Sequence, residues 1–223
     1  PSISGLLPEH GVAGGGTAVT ITGADFTTSV DTTVTFGGTQ AGNVVVVDSS
    51  TVTCTTPAHG AGAADVVVTN SNGSDTLTDG FTFHNSPGIS LLSPENGPVE
   101  GGTAVTITGS DFTTVGATTV TFGGIQATQI VVLSATTITC EAPAQAAAGS
   151  VDVTVSNDFG SDTLGGGYNY YGEPTLSNLN CVTNGSSVDL TWTLDDPGLQ
   201  IDEIVVSRGS AELARTAGTA QSY

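Results

Sequence analysis

The chain is written twice. Moving residues 1–86 along by 86 places lays GGTAVTITG at Gly15–Gly23 letter for letter on Gly101–Gly109, DFTT at Asp25–Thr28 on Asp111–Thr114, and TTVTFGG at Thr32–Gly38 on Thr118–Gly124. Cys54 falls on Cys140 and Pro57 on Pro143; the second copy then gains one residue, so Asp65 meets Asp152 and GSDTL at Gly73–Leu77 meets Gly160–Leu164 at a shift of 87. A tandem unit of about 85 residues must bury its own core in each copy. The 223 residues therefore hold two small domains plus about 50 further residues, which leaves little room for one large enzyme core.

Within a unit the apolar residues alternate: Val19 and Ile21, Val34 and Phe36, Val52 and Cys54, Val66 and Val68. That is the two-residue period of a strand with one face buried. Gly14–Gly16, Gly37-Gly38 and Asn72-Gly73 separate runs of five to seven residues, and no run shows a capped helical stripe. Short alternating strands at this spacing predict an all-β chain, each unit a two-sheet antiparallel sandwich with the valines and phenylalanines inside.

Pro8, GGTAVTITG, Asp25-Phe26, VTFGG, TVTCTTP ending at Pro57, and DVVVTNSNG followed by Phe81 and Phe83 together resemble an IPT/TIG domain, and the second copy carries the same signature. The resemblance covers residues 1 to about 171 and implies immunoglobulin-like sandwiches in series, like beads on a string. It also implies a setting in extracellular receptors, bacterial surface and adhesion proteins, secreted carbohydrate-active enzymes or DNA-binding transcription factors. The expected domains are 1–86, 87–171 and a third at 172–223. The last opens with PTLSNLNCVTNGSSVDLTWTL, with Val188, Leu190 and Trp192 on one face, and looks like the first half of a fibronectin type III-like sandwich with a hairpin turning near Gly209. About 50 residues are too few to close such a sandwich. Either the natural chain continues past Tyr223, or strands of a neighbouring subunit complete the domain, giving a head-to-tail homopolymer.

Composition removes several classes of function. Arg208 and Arg215 are the only basic residues against 21 acidic ones, for a formal charge of −19, and there is no Lys. No basic patch exists to neutralise phosphates, so nucleic-acid binding is excluded and the transcription-factor branch of the resemblance with it. Lysine Schiff-base chemistry is excluded on the same ground. The longest aliphatic run, Val44–Val47, is far short of the ~20 residues that span a bilayer, so no membrane insertion is expected within this segment. The chain starts at Pro1 with no charged and then apolar leader, as a mature form or an internal piece would.

Candidate chemistry is sparse. Cys54 and Cys140 occupy matching places in separate beads, beyond disulfide reach of each other, and share strand faces with Val52 and Ile138, so they read as small buried apolar side chains. His10, His59 and His84 read as unrelated in position, lying apart, and their counterparts Asn96, Gln145 and Tyr171 are not equivalent ligands, so no histidine metal site is expected. No nucleophile motif and no phosphate-binding glycine loop is present, so no enzyme activity and no cofactor are expected. Calcium is the one cation that suits the carboxylates, with Glu9, Glu95 and Glu100 near the domain entries, Asp25 and Asp111 after an early strand, and Asp75, Asp79 or Asp162 in the last hairpin. None has the spacing of a dedicated loop, and Asp25 and Asp111 read as turn residues. Phe81, Phe83, Tyr168 and Tyr170 read as core. Phe159, in a hairpin loop where the first copy has Asn72, and Tyr171, at a domain joint, are the candidate glycan contacts.

These observations predict a secreted or cell-surface structural and adhesive protein, a stalk, fibre or surface-layer component whose partners are other protein subunits or surface glycans. The rival expectations are an accessory glycan-binding region of a larger secreted carbohydrate-active enzyme and a receptor ectodomain. NGS at Asn72 and Asn184 would be glycosylation acceptors in a eukaryotic secretory pathway. The carboxylates give a direct test. Millimolar calcium should move the melting temperature little, because a ligand stabilises only through binding to the folded state. A rise above ~10 °C that EDTA reverses would show that the carboxylates form a calcium site.

Overall fold

The computed structural model describes residues 1–27, 31–172, 175–184, 187–195, 203–208 and 211–217. The first repeat has nine strands: β1 (Ser2–Leu7), β2 (His10–Val12), β3 (Ala18–Ala24), β4 (Thr33–Phe36), β5 (Thr39–Gln40), β6 (Gly42–Asp48), β7 (Thr51–Thr55), β8 (Gly62–Asn70) and β9 (Gly73–His84). They form two sheets, β1-β3-β7-β6 and β2-β9-β8-β4-β5, with every pairing antiparallel except β2 on β9. The entering chain thus serves both sheets, first as β1 and then, past Pro8, as β2. The second repeat reproduces this order with β10 (Gly88–Ser93), β11 (Asn96–Pro98), β12 (Ala104–Ser110), β13 (Thr119–Phe122), β14 (Ile125–Gln126), β15 (Thr128–Ser134), β16 (Thr137–Glu141), β17 (Gly149–Asn157) and β18 (Gly160–Tyr171). Among the described residues there is no helix, and the all-β serial sandwich expected from the alternation is the fold.

The inward set is the one the sequence marked. Val19, Ile21, Val34, Phe36, Val52, Cys54, Val66 and Val68 are buried while their neighbours in the strands face out. Phe36 meets Phe81 edge-on at 5.3 Å and Phe81 meets Phe83 at 4.8 Å, a geometry that sets ring edges on ring faces. A Cβ at Gly23 would strike the Ser2 carbonyl, and one at Gly109 the Gly88 carbonyl. These glycines let β1 and β10 lie close against β3 and β12. The edge strands β6 and β15 each carry two register breaks against their partners, with Asn43 and Gln129 at φ of 49° and 51°. Such bulges twist an edge away from further pairing, which matters in a chain without Lys to guard it and with Val47 60% and Leu133 62% exposed there.

Beyond residue 172 four strands pair as two hairpins: β19 (Thr175–Asn184) with β20 (Ser187–Asp195), and β21 (Glu203–Arg208) with β22 (Ala211–Ala217). The expected burial of Trp192 and the placement of Gly209 and Tyr223 lie outside the described residues.

The two cores differ at the closing strand. Tyr168 and Tyr170 replace Phe81 and Phe83, and all four rings are buried. Tyr170 Oη donates to the Pro143 carbonyl at 2.7 Å, whereas Tyr168 Oη is buried without a hydrogen bond, the Thr103 hydroxyl standing near but completing none. Burial pushes the Cys54 and Cys140 thiols up to about 11 and raises both phenols above their ordinary value. A raised pKa means that the folded state favours the protonated form. This contribution is complete below about pH 9, where an unfolded thiol first ionises, and is lost as pH rises through 9 to 11 and beyond for the phenols. The second repeat, with one thiol and two phenols against one thiol, should lose protection first in alkaline hydrogen exchange. Removing the unsatisfied hydroxyl with Tyr168→Phe should stabilise this repeat by about 1–3 kcal/mol, and Tyr170→Phe should destabilise it by about 0.5–1.5 kcal/mol, both read from urea unfolding of the full chain.

Candidate functional site

Several residues that distinguish the copies gather where the repeats meet. β8 and β9 join through a tight tip in which Asn70 Oδ1 accepts the Asn72 amide at 2.9 Å; in β17–β18 Asn157 Oδ1 accepts the Phe159 amide at the same distance. This side-chain-built turn fixes the direction in which the tip residue projects. In the first repeat that residue is Asn72, which is exposed. In the second it is Phe159, which lies flat on His84 at the end of β9, ring centroids 4.1 Å apart and planes 16° apart. The expectation of an exposed Phe159 ring does not hold: it is 6% exposed, because its tip reaches back over the preceding bead.

Two hydrogen bonds flank the stack. Ser86 Oγ donates to the Phe159 carbonyl at 3.1 Å, and Asn85 Nδ2 donates to Asp111 Oδ1 at 3.1 Å. Asp111 can present its carboxylate there because it sits in a left-handed turn at φ 56°, as Asp25 does at φ 58° in the first repeat. Pro87 is buried, so the short connection is itself packed.

His84 has a second neighbour. The parallel pairing of β2 with β9 sets Val12 beside His84 and His10 beside Thr82, and brings His10 Nδ1 to 3.1 Å from His84 Nε2. The expectation that the histidines lie apart is therefore wrong for this pair; only a cross-strand contact 74 residues apart in sequence reveals it. The ring centroids are 5.3 Å apart, close to the N···N distance plus the two ring radii. The nitrogens thus face each other head-on, the geometry of one bridging proton rather than of two lone pairs aimed at a common ion. Burial first, and the charge of His10 second, hold His84 below the ordinary imidazole pKa. His59 stands elsewhere, stacked on Phe83 at 4.8 Å, while its counterpart Gln145 donates to the Phe122 carbonyl at 2.7 Å.

Clefts open on both sides of the joint. One, of about 410 Å³, is lined by Phe83, His84, Asn85, Asp111 and Phe112 among others; the other, of about 330 Å³, by Pro8, His10, Val115, Asp158 and Phe159 among others. The carboxylates singled out by sequence are scattered. Glu9, Glu95, Glu100 and Asp25 are exposed, Asp111 is engaged by Asn85, and Asp75 and Asp162 each accept a backbone amide, from Ile3 and Ile89, at 2.7 Å. Among the described residues no three metal-binding side chains lie together. Tyr171 is half-buried at the end of β18, in the place that His84 holds in the first repeat, and its carbonyl accepts the Val99 amide as the His84 carbonyl accepts that of Ala13.

Comparison with known proteins agrees with this architecture. The IPT/TIG domain profile matches residues 1–84 and 87–171. Fibrocystin-L of Mus musculus is 34% identical over 158 residues, which is 70% of this chain and 4% of that protein. Plexin A3 of Danio rerio is 30% identical over 148 residues, 64% of this chain and 8% of that protein. The chain thus spans less than a tenth of the length of these curated relatives. Among solved structures, the full extracellular region of plexin A4 superposes with a TM-score of 0.50 at 21% identity, covering 95% of this chain and 19% of that one, a likeness of fold. With both repeats matched in sequence and more than half of its length covered, the chain belongs to the IPT/TIG domain family.

Proposed function

We propose that this chain is an extracellular or cell-surface spacer, a run of immunoglobulin-like beads that holds neighbouring parts of a larger protein at a set distance and orientation and takes no part in catalysis. The observation that carries the reading is the joint: the stack of Phe159 on His84 and the bonds from Asn85 and Ser86 tie one repeat to the next by side chains that neither core needs. Two such hydrogen bonds and one stacked aromatic pair are together worth on the order of 2–4 kcal/mol, enough to favour one orientation over free swivelling by a factor of roughly 30 to 900. Membership of a family shared with plexin A3 and fibrocystin-L supports an ectodomain setting, and so does the likeness of fold to the extracellular region of plexin A4. A surface of Thr, Ser, Asn and carboxylates, with almost no Lys or Arg, suits exposure to solvent and to proteases that cut after basic residues. The partners on this reading are other protein subunits, and residues 172–223 are part of a fibronectin type III-like domain.

A spacer predicts a measurable joint. In residual dipolar couplings of the full chain at neutral pH, the two repeats should share one alignment tensor. Phe159→Asn, which installs the residue of the first repeat, should leave each repeat's couplings fitted by its own unchanged fold but require two alignment tensors. Wild-type repeats that already align independently would sink the spacer reading. Binding of the chain to an immobilised polysaccharide panel, lost on Tyr171→Ala, would favour the glycan-binding reading instead.

A further inference from the structure

The row His10–His84–Phe159 runs from the edge strand of one bead, through the end of its closing strand, to the tip of the next. We propose that this row is an acid-sensitive clamp, which fixes the orientation of the two repeats while the imidazoles share a bridging proton and releases it once both rings are charged. The inference rests on reading the joint as an orienting contact.

The chemistry follows from the head-on geometry. Two neutral imidazoles carry one N–H each, and one of these can bridge the 3.1 Å gap between Nδ1 of His10 and Nε2 of His84. A first added proton goes to an outward-facing nitrogen and leaves the bridge in place, now assisted by charge. A second proton leaves N–H groups on both facing nitrogens, so the bridge is lost and two cations face each other across the same gap. The charged groups around them pull in different directions. Asp158 and His10 line one cleft, with Glu9 adjacent to His10 in the chain, whereas Asp111 and His84 line the other. Repulsion across the gap therefore pushes the two charged rings apart, with Asp158 on the side of His10 and Asp111 on the side of His84, and the displacement of His84 takes it out of its parallel stack.

The direction with pH is set by the lowered pKa of His84. A depressed pKa means that the folded joint favours the neutral ring. The contribution is complete above about pH 6.5, the ordinary imidazole value, and is lost as pH falls through the lowered one. Nothing in the second repeat repeats the device, since Asn96 and Tyr171 hold the corresponding places.

The test uses the full chain, titrated from about pH 7.5 downward until the ring resonances of both His10 and His84 have moved to the protonated form. The expected result is one alignment tensor for both repeats at the start and two at the end, with the couplings of each repeat still fitted by its own fold. His10→Gln keeps a side chain that can donate to His84 Nε2 but cannot acquire charge, and should hold a single tensor throughout. The clamp is overturned if the wild type keeps one tensor after both rings are charged, or if His10→Gln splits with the same midpoint as the wild type. A wild type with two tensors already at pH 7.5 overturns the spacer reading itself and the clamp with it.

Discussion

The register of the long closing hairpin governs each bead. In β8–β9, Asn70 pairs with Gly73 at the tip and Gly62 with Phe83 at the base, with one break between Ala64 and Val66 where Asp65 Oδ1 accepts the Asp79 amide. A strand of 12 residues at ~3.3 Å each is about 40 Å long and runs the height of the sandwich. Its first residue therefore stands at one end of the bead and its last at the other. The same strand delivers the core aromatics Phe81 and Phe83, the joint residue His84 and the tip that, in the second copy, becomes the knob Phe159. A slip of one residue would turn the aromatics out to solvent and carry the joint residues with them.

Because one strand does all of this, the duplication could diverge at the joint while the cores stayed nearly fixed. Phe36 and Phe122, and Cys54 and Cys140, remain in place; Asn72 became Phe159 or the reverse, and His84 stands opposite Tyr171. The larger changes inside the core were met locally. Tyr170 found the Pro143 carbonyl, and Gln145 bonds to the Phe122 carbonyl where His59 covers Phe83. Among the described residues, Tyr168 is the substitution left with a buried hydroxyl that makes no hydrogen bond.

The fold was legible because its signals are local. Alternation named the inward residues of each strand, and Gly37-Gly38 and Asn72-Gly73 named the turns, so the sandwich followed from pattern alone. The joint was not legible, for two physical reasons. His10 and His84 meet through a parallel pairing across 74 residues, and Ser86 meets the Phe159 carbonyl across 73. No period in the sequence encodes such contacts. The asymmetry between Asn72 and Phe159 was visible, but an aromatic residue at a hairpin tip reads as exposed until the neighbouring bead is in position. The repeat comparison also misdirected, since it set aside His10 and His84 on the ground that their counterparts differ, and difference between copies is what an asymmetric joint requires.

The shared AVTITG core of β3 and β12 has a consequence for how the chain is made. AVTITG occurs at Ala18–Gly23 and again at Ala104–Gly109, so the central strand of either bead could complete the sheet of the other and trap a cross-paired intermediate. Order of synthesis works against this. The first bead is complete at His84, and about 20 residues separate it from the start of β12 at Ala104. At ~5–20 residues per second the ribosome takes about 1–4 s to add them. A β-sandwich of this size closes in milliseconds to seconds, so the first copy of the strand is generally buried before the second leaves the ribosome, and vectorial synthesis keeps two interchangeable pieces from exchanging.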